Sequence, residues 1–255
     1  VEGVHRFGQG PETALALHCA LASGMAWRGV GERLGDLLTL TAPDHPGHGT
    51  APDWDGTGEY GAVALERALE AMDGPGVLIG HSFGGVVALR LAAARPDLVR
   101  RLVLIEPVWF RAAEGTEAFE QLQADMVGLA AKLEEGPEPA ARYFTDIWGT
   151  GRPWEALDAR TRAYTADRMH LVIAAETGNF GDPAGLAAPG GLEGLTMPVL
   201  LAAGSESHPV QRAVNDALAA RLPHARQVIW DGAGHLAPIT KPDVVARTLR
   251  EFLTE

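Results

Sequence analysis

Val77-Leu78-Ile79-Gly80-His81-Ser82-Phe83-Gly84-Gly85-Val86 is the stretch on which the reading of this chain turns. A short Val/Leu/Ile run closed by glycine reads as a buried strand, and apolar residues three and four apart from Phe83 to Arg95 read as a helix. Ser82 stands at the corner between them, with glycine two residues to either side. A serine on so tight a strand-to-helix turn is held in a strained backbone conformation with its hydroxyl exposed, and side chains at the flanking positions 80 and 84 would collide with neighbouring backbone. The helix that follows aims its first amides, and the positive end of its dipole, at the place where an oxyanion would form. Four serines and 31 glycines in 255 residues give roughly 0.06 chance matches to Gly-x-Ser-x-Gly. The motif therefore marks Ser82 as a nucleophile.

Outward from this corner, short apolar runs bounded by turn residues predict strands at Val4 to Phe7, Thr13 to His18, Leu37 to Ala42, Leu102 to Glu106, Val199 to Ala203 and Arg226 to Trp230. Helical spacing is read at Ala26 to Leu34, Thr57 to Met72, Pro209 to Arg221 and Pro242 to Leu253, with proline at the first position of the last two. Alternation of this kind predicts an α/β fold, a doubly wound and mainly parallel sheet. From Val108 to Leu195 the alternation stops. Helical stretches at Thr116 to Glu135, Pro139 to Ile147 and Ala159 to Thr177, followed by a Gly/Pro/Ala-rich return, read as a helical cap inserted between two strands. The expected organisation is a core of residues 1–107 and 196–255 with a cap of 108–195.

Composition bounds the function. The length suits one α/β domain with an insertion, and 46% apolar residues with scattered Gly and Pro indicate a globular chain. A formal net charge of −12 repels phosphate backbones, so nucleic acid is not an expected partner. No apolar run reaches the roughly 18 residues needed to span a bilayer. The single Cys19 excludes an internal disulfide, and with no basic-then-apolar leader at the start the expectation is a cytoplasmic chain.

A serine hydroxyl is a weak nucleophile and needs a base within hydrogen-bond reach. Among nine histidines, His235 is the best placed, on the glycine-rich loop Asp231-Gly232-Ala233-Gly234 that follows the last strand, at the edge where open α/β sheets bind ligands. Asp44, His45 and His48 form a turn that reads as loop architecture, so no metal is expected, and no cofactor.

With these landmarks in order, the chain resembles the α/β-hydrolase superfamily in its capped, esterase- and lipase-like branch, over nearly its full length. The matching features are Leu17-His18 and its loop, Asp44-His45-Pro46-Gly47-His48-Gly49, Gly80 to Gly85, the cap, Pro198 to Gly204 and Gly234-His235. The resemblance implies a triad in the order nucleophile, acid, base, and an oxyanion hole of two backbone amides. Those amides would be Phe83 and Ala20, with Cys19 standing where the family usually has glycine. The family most often places its acid three residues beyond the glycine that ends the penultimate strand, and here that residue is Ser207. A hydroxyl cannot stabilise an imidazolium as a carboxylate does. Glu106, at the end of the strand after the nucleophile helix, is favoured as the acid, in the manner of dehalogenase and lipase branches. Glu206 is the alternative. Dehalogenases of this fold usually carry an Asp nucleophile, so Ser82 implies an acyl-enzyme.

The expected activity is therefore hydrolysis of a carboxylic ester on a small acyl substrate. Thioesterase, lactonase, carbon–carbon bond hydrolase and perhydrolase are close chemical neighbours, and a ligand-binding receptor on the same fold is the rival class. Among the cap's apolar residues Trp109, Phe110, Phe144, Trp148, Trp154, Met169 and Phe180, the first two directly follow Glu106-Pro107 and are expected, with Cys19, to border the substrate.

Overall fold

Strand β4 (Gly76–His81) is buried along its whole length, because strands on both sides and helices on both faces cover it. A computed structural model of the chain describes residues 2–255. Among these, β1 (Val4–Phe7), β2 (Glu12–Leu17), β3 (Leu38–Pro43), β4, β5 (Val99–Ile105), β6 (Val199–Gly204) and β7 (Ala225–Trp230) form one sheet in the order β1-β3-β2-β4-β5-β6-β7. Only the β1–β3 pairing is antiparallel. All seven predicted strands are present.

Alternation along each strand divides the core in two. Leu15, Leu17, Leu78, Leu102, Leu104, Val199 and Leu201 face one side, towards α2 (Tyr60–Glu70), α3 (Phe83–Ala94) and α9 (Pro209–Ala219). Ala14, Ala16, Val77, Ile79, Val103, Ile105, Leu200 and Ala202 face the other, towards α1 (Arg28–Arg33), α10 (Ala237–Thr240) and α11 (Pro242–Thr254). Complete burial of each Leu, Ile or Val contributes about 1.5–3 kcal/mol, so the strand register is strongly specified.

Between β5 and β6 lie α4 (Glu117–Glu135), α5 (Pro137–Trp148), α6 (Ala159–Asp167), α7 (Met169–Ala174) and α8 (Glu176–Phe180). They share a small core of Leu129, Ala140, Ala141, Trp154, Met169 and Val172. The single helix expected from Ala159 to Thr177 is instead three short ones. The Tyr164 hydroxyl donates to Ala22 O and accepts from Gly49 N–H, and Arg168 Nε donates to Gly47 O. These bonds fasten the segment to the 44–49 turn, and it bends to follow that turn. No Gly or Pro lies between residues 159 and 177 to announce the bends. The helix expected at Ala26 to Leu34 likewise opens as a tighter turn, Gly24–Trp27, before α1. Among the described residues, no helix is long and apolar enough to cross a membrane.

Because β2, β4, β5, β6 and β7 run parallel, the residues after each strand meet at one edge: His18 to Leu21, Ser82, Glu106, Ser207 and His235.

Candidate active site

Ser82 joins β4 to α3 with φ 56° and ψ −120°, a conformation outside the ordinary L-residue regions. The glycines around it answer to contacts. A Cβ on Gly80 would lie 2.7 Å from Ala88 Cβ, and one on Gly84 would lie 2.6 Å from His18 O. Among the described residues, the non-glycine positions with positive φ are Leu21, Ser82 and Glu106. All three sit at this edge of the sheet, where stored backbone strain commonly marks a functional site.

Three side chains form a continuous relay. Ser82 Oγ lies 3.0 Å from His235 Nε2, and His235 Nδ1 lies 2.5 Å from Glu106 Oε2. The three are buried, and Glu106 has no exposed surface. An isolated carboxylate there would be prohibitive. Its second oxygen accepts from Gly204 N–H at 2.7 Å and from the Ser207 hydroxyl. Burial works to raise the Glu106 pKa, but His235, the Gly204 amide and Ser207 together hold it below the ordinary value. Ser207, at the position of the missing acid, thus binds the carboxylate supplied by the neighbouring strand. Glu206 is exposed, and its side chain lies near Gly232 and Lys241 instead of His235.

The expected oxyanion donors flank this relay. Phe83 heads α3, where a helix's first amides have no intrahelical acceptor. Ala20 borders the same two cavities as Ser82. The loop carrying Ala20 is built by histidines. His18 Nε2 accepts from His45 N–H, His45 Nε2 donates to His18 O, and Leu21 N–H donates to His48 Nε2. His81 Nε2 donates to His235 O at 2.8 Å, fixing the loop that presents the base. Burial is the first cause that draws these rings down, His45 and His81 to about 3 and His48 to about 4, with His18 well below its usual value. Asp44 accepts from Gly24 N–H and Thr50 N–H and bonds His5, so it braces the turn. Among the described residues, no group of three or more His, Cys, Asp or Glu side chains is arranged to hold a metal ion.

Two cavities meet at Ser82 and His235. The larger, about 180 Å³, is bordered by Cys19, Ala20, Trp148 and Leu236 and reaches the exposed Thr150, Thr161 and Ile239. The smaller, about 50 Å³, is enclosed by Phe83, Val108, Phe110, Phe180 and Trp148, with Glu176 and Asn179 in its wall. Cys19 and Phe110 are therefore at the cavities, as expected. Trp109 is not: its ring packs in the core and its indole N–H donates to Gly181 O at 2.9 Å. Trp148 takes the place anticipated for Trp109, lining both cavities with its ring 5.0 Å from that of His235. Nothing in the amphipathic α5 sequence singled Trp148 out from the other cap aromatics for this role. The Cys19 thiol is pushed up by burial to about 12.

A model of the Alpha/beta hydrolase family matches residues 14–248. The chain is 31% identical to Lipase LipV of Mycobacterium tuberculosis, covering 98% of this chain and 97% of that one. It is 30% identical to a pimeloyl-[acyl-carrier protein] methyl ester esterase of Xanthomonas campestris, covering 96% of each. In fold it is similar to the crystal structure of an alpha/beta hydrolase from Sphaerobacter thermophilus, with TM-score 0.74 at 24% identity over 98% of this chain and 95% of that one.

Proposed function

Because the chain belongs to the alpha/beta hydrolase family, we propose that it is a serine hydrolase of carboxylic esters. Ser82 is its nucleophile, His235 its base and Glu106 its acid. The observation that carries this reading is the unbroken contact from Ser82 Oγ through His235 to a buried, doubly anchored carboxylate. The similarity to a lipase and to a methyl ester esterase supports the ester as the bond cleaved.

In the proposed cycle His235 Nε2 takes the Ser82 proton as the oxygen attacks the ester carbonyl. The oxyanion of the tetrahedral intermediate is met by the Phe83 and Ala20 amides, with the α3 dipole behind them. Glu106 holds the His235 tautomer and stabilises the imidazolium. His235 then returns the proton to the leaving alcohol, and water repeats the sequence to free the acid. The alcohol must depart past His235, which suits the larger cavity with its exposed rim. The acyl group stays on Ser82 until water arrives, and the enclosed smaller cavity suits it. Residues 108–195 act as a cap that excludes bulk water from the acyl-enzyme. The lone free cysteine suits a reducing compartment, and we place the activity in the cytoplasm.

The test is release of nitrophenolate from p-nitrophenyl esters of increasing acyl length, by wild type and by Ser82→Ala, followed through many turnovers. Sustained turnover by wild type and its loss in Ser82→Ala are expected. Binding without repeated turnover would favour a receptor instead.

A further inference from the structure

We propose that Trp148 is a specificity-determining residue, its indole forming the partition between the acyl and leaving-group cavities and disfavouring bulky acyl groups. The inference rests on the ester-hydrolase reading and deepens it by naming what selects the acyl part of the substrate.

The placement comes from α5. Beyond Ser82, His235 and Ala20, the side chains that border both cavities are Phe144 and Trp148. Four residues apart on one helix, they share a face, and that face meets the site. The Trp148 ring stands edge-on to His235, with centroids 5.0 Å apart and planes at 64°. His235 hands its proton to the departing alcohol in the proposed cycle, so the indole stands beside the ester bond that breaks. Bulk at this spot is felt by whichever part of the ester is pressed against it.

A wall selects only if it does not yield. Trp148 is buried, and two further rings hold it, Phe110 at 5.9 Å and His208 at 5.5 Å. His208 is itself fixed. Its Nδ1 accepts from Val210 N–H at the head of α9, which leaves the hydrogen on Nε2 to be donated to Asp125 Oδ2 at 3.1 Å. Asp125 belongs to α4, so one side chain of the β5–β6 insertion and one beside β6 jointly hold the ring that backs the partition. Asp125 and His208 border neither cavity. They are positioning residues, acting through Trp148.

The experiment measures kcat/KM for p-nitrophenyl benzoate and p-nitrophenyl acetate, which share a leaving group. Their ratio, benzoate over acetate, is compared between variants so that intrinsic reactivity cancels. In Trp148→Ala the ratio should rise at least about tenfold, since loss of the indole frees more room than one methylene. Trp148→Phe, which keeps one ring, should raise it about threefold, and it supplies the reading should circular dichroism show that Trp148→Ala does not fold. His208→Ala should raise the ratio as Trp148→Phe does, with the indole still present. A ratio unchanged in a folded Trp148 variant overturns the inference and leaves the hydrolase intact, even where both rates fall, because loss of packing alone lowers both alike. An unchanged ratio in folded His208→Ala overturns the positioning role of the Asp125–His208 pair. Turnover of neither ester by wild type overturns the hydrolase reading and this inference with it.

Discussion

Lowering the pH from about 7 to about 5 should remove most of the stability of this protein, and four buried histidines are the reason. His18, His45, His48 and His81 are buried, and their ring nitrogens are committed as neutral imidazoles. A proton added to His18 Nε2 or His48 Nε2 would point an N–H at the N–H of His45 or Leu21. Charges around the cluster add little relief: Arg67 and Arg168 oppose protonation, whereas Asp44 favours it at His48 and Glu106 at His81. The folded values lie below the unfolded value of about 6.5. The unfolded chain therefore binds more protons below that pH, and stability falls as the pH falls. The loss begins near pH 6.5 and continues until the folded values near 3 to 4 are reached.

A histidine that titrates at about 6.5 unfolded and not above about 4 folded loses about 2 kcal/mol of stabilisation between pH 7 and pH 5. The result scarcely depends on how far below 5 the folded value lies. His45, His48 and His81 together give roughly 6 kcal/mol, and His18 shifts stability in the same direction, against a usual domain stability of about 5–15 kcal/mol. Carboxylates, which titrate near 4 when unfolded, contribute little in this window. The assay is urea unfolding at pH 7, 6 and 5 at constant ionic strength, read from the fluorescence of the six tryptophans. His81→Gln should shrink the loss by about 2 kcal/mol, since one titrating ring is removed. A change of less than about 2 kcal/mol across the window would refute the neutral-cluster argument.

Glu106→Gln should lower kcat on the order of 10³- to 10⁴-fold with circular dichroism unchanged, whereas Glu206→Gln should leave kcat within about twofold. Adding Ser207→Asp to Glu106→Gln should restore at least about tenfold of that loss, because position 207 already touches the carboxylate that serves His235. No recovery in a folded double variant would mean that the loop after β6 cannot present an acid to this histidine. Cys19 should resist iodoacetamide in the native protein at about pH 8 and react fully in denaturant, since a buried thiol held near 12 forms no thiolate. Rapid native alkylation would contradict its burial.

The parts of the fold that could be read in advance are those whose physics is local. The central strands β4 and β6, and β5 from Leu102 onward, declare themselves because they are buried on both faces and built from runs of Val, Leu, Ile and Ala. The turn at Ser82 declares itself because Gly80 and Gly84 have no room for a Cβ. What stayed hidden depends on partners distant in sequence. Trp109 and Trp148 are both buried aromatics of the β5–β6 insertion, and only packing decides which one reaches His235. His81 acts on a residue 154 positions away, and His18 and His48 on a loop and a turn 27 positions apart, so no periodicity could reveal them.

The acid shows both kinds of reasoning at once. Absence of a carboxylate at Ser207 was visible as a gap, and Glu106 at the end of a neighbouring strand was visible as a replacement. The physical reason that the exchange works lies in the sheet. β5 and β6 are adjacent and in register, with Ile105 beside Ala202, so a side chain leaving β5 at Glu106 and one leaving the loop after β6 converge on the same volume. The glutamate's extra methylene lets it span from the neighbouring strand to His235, and its positive φ of 47° turns it that way. The vacated position then needs only a donor, which a serine hydroxyl provides and a carboxylate could not, since two like charges in that volume would repel. Serine at 207 is thus what a carboxylate at 106 requires, and the two residues are best understood as one substitution made across two strands.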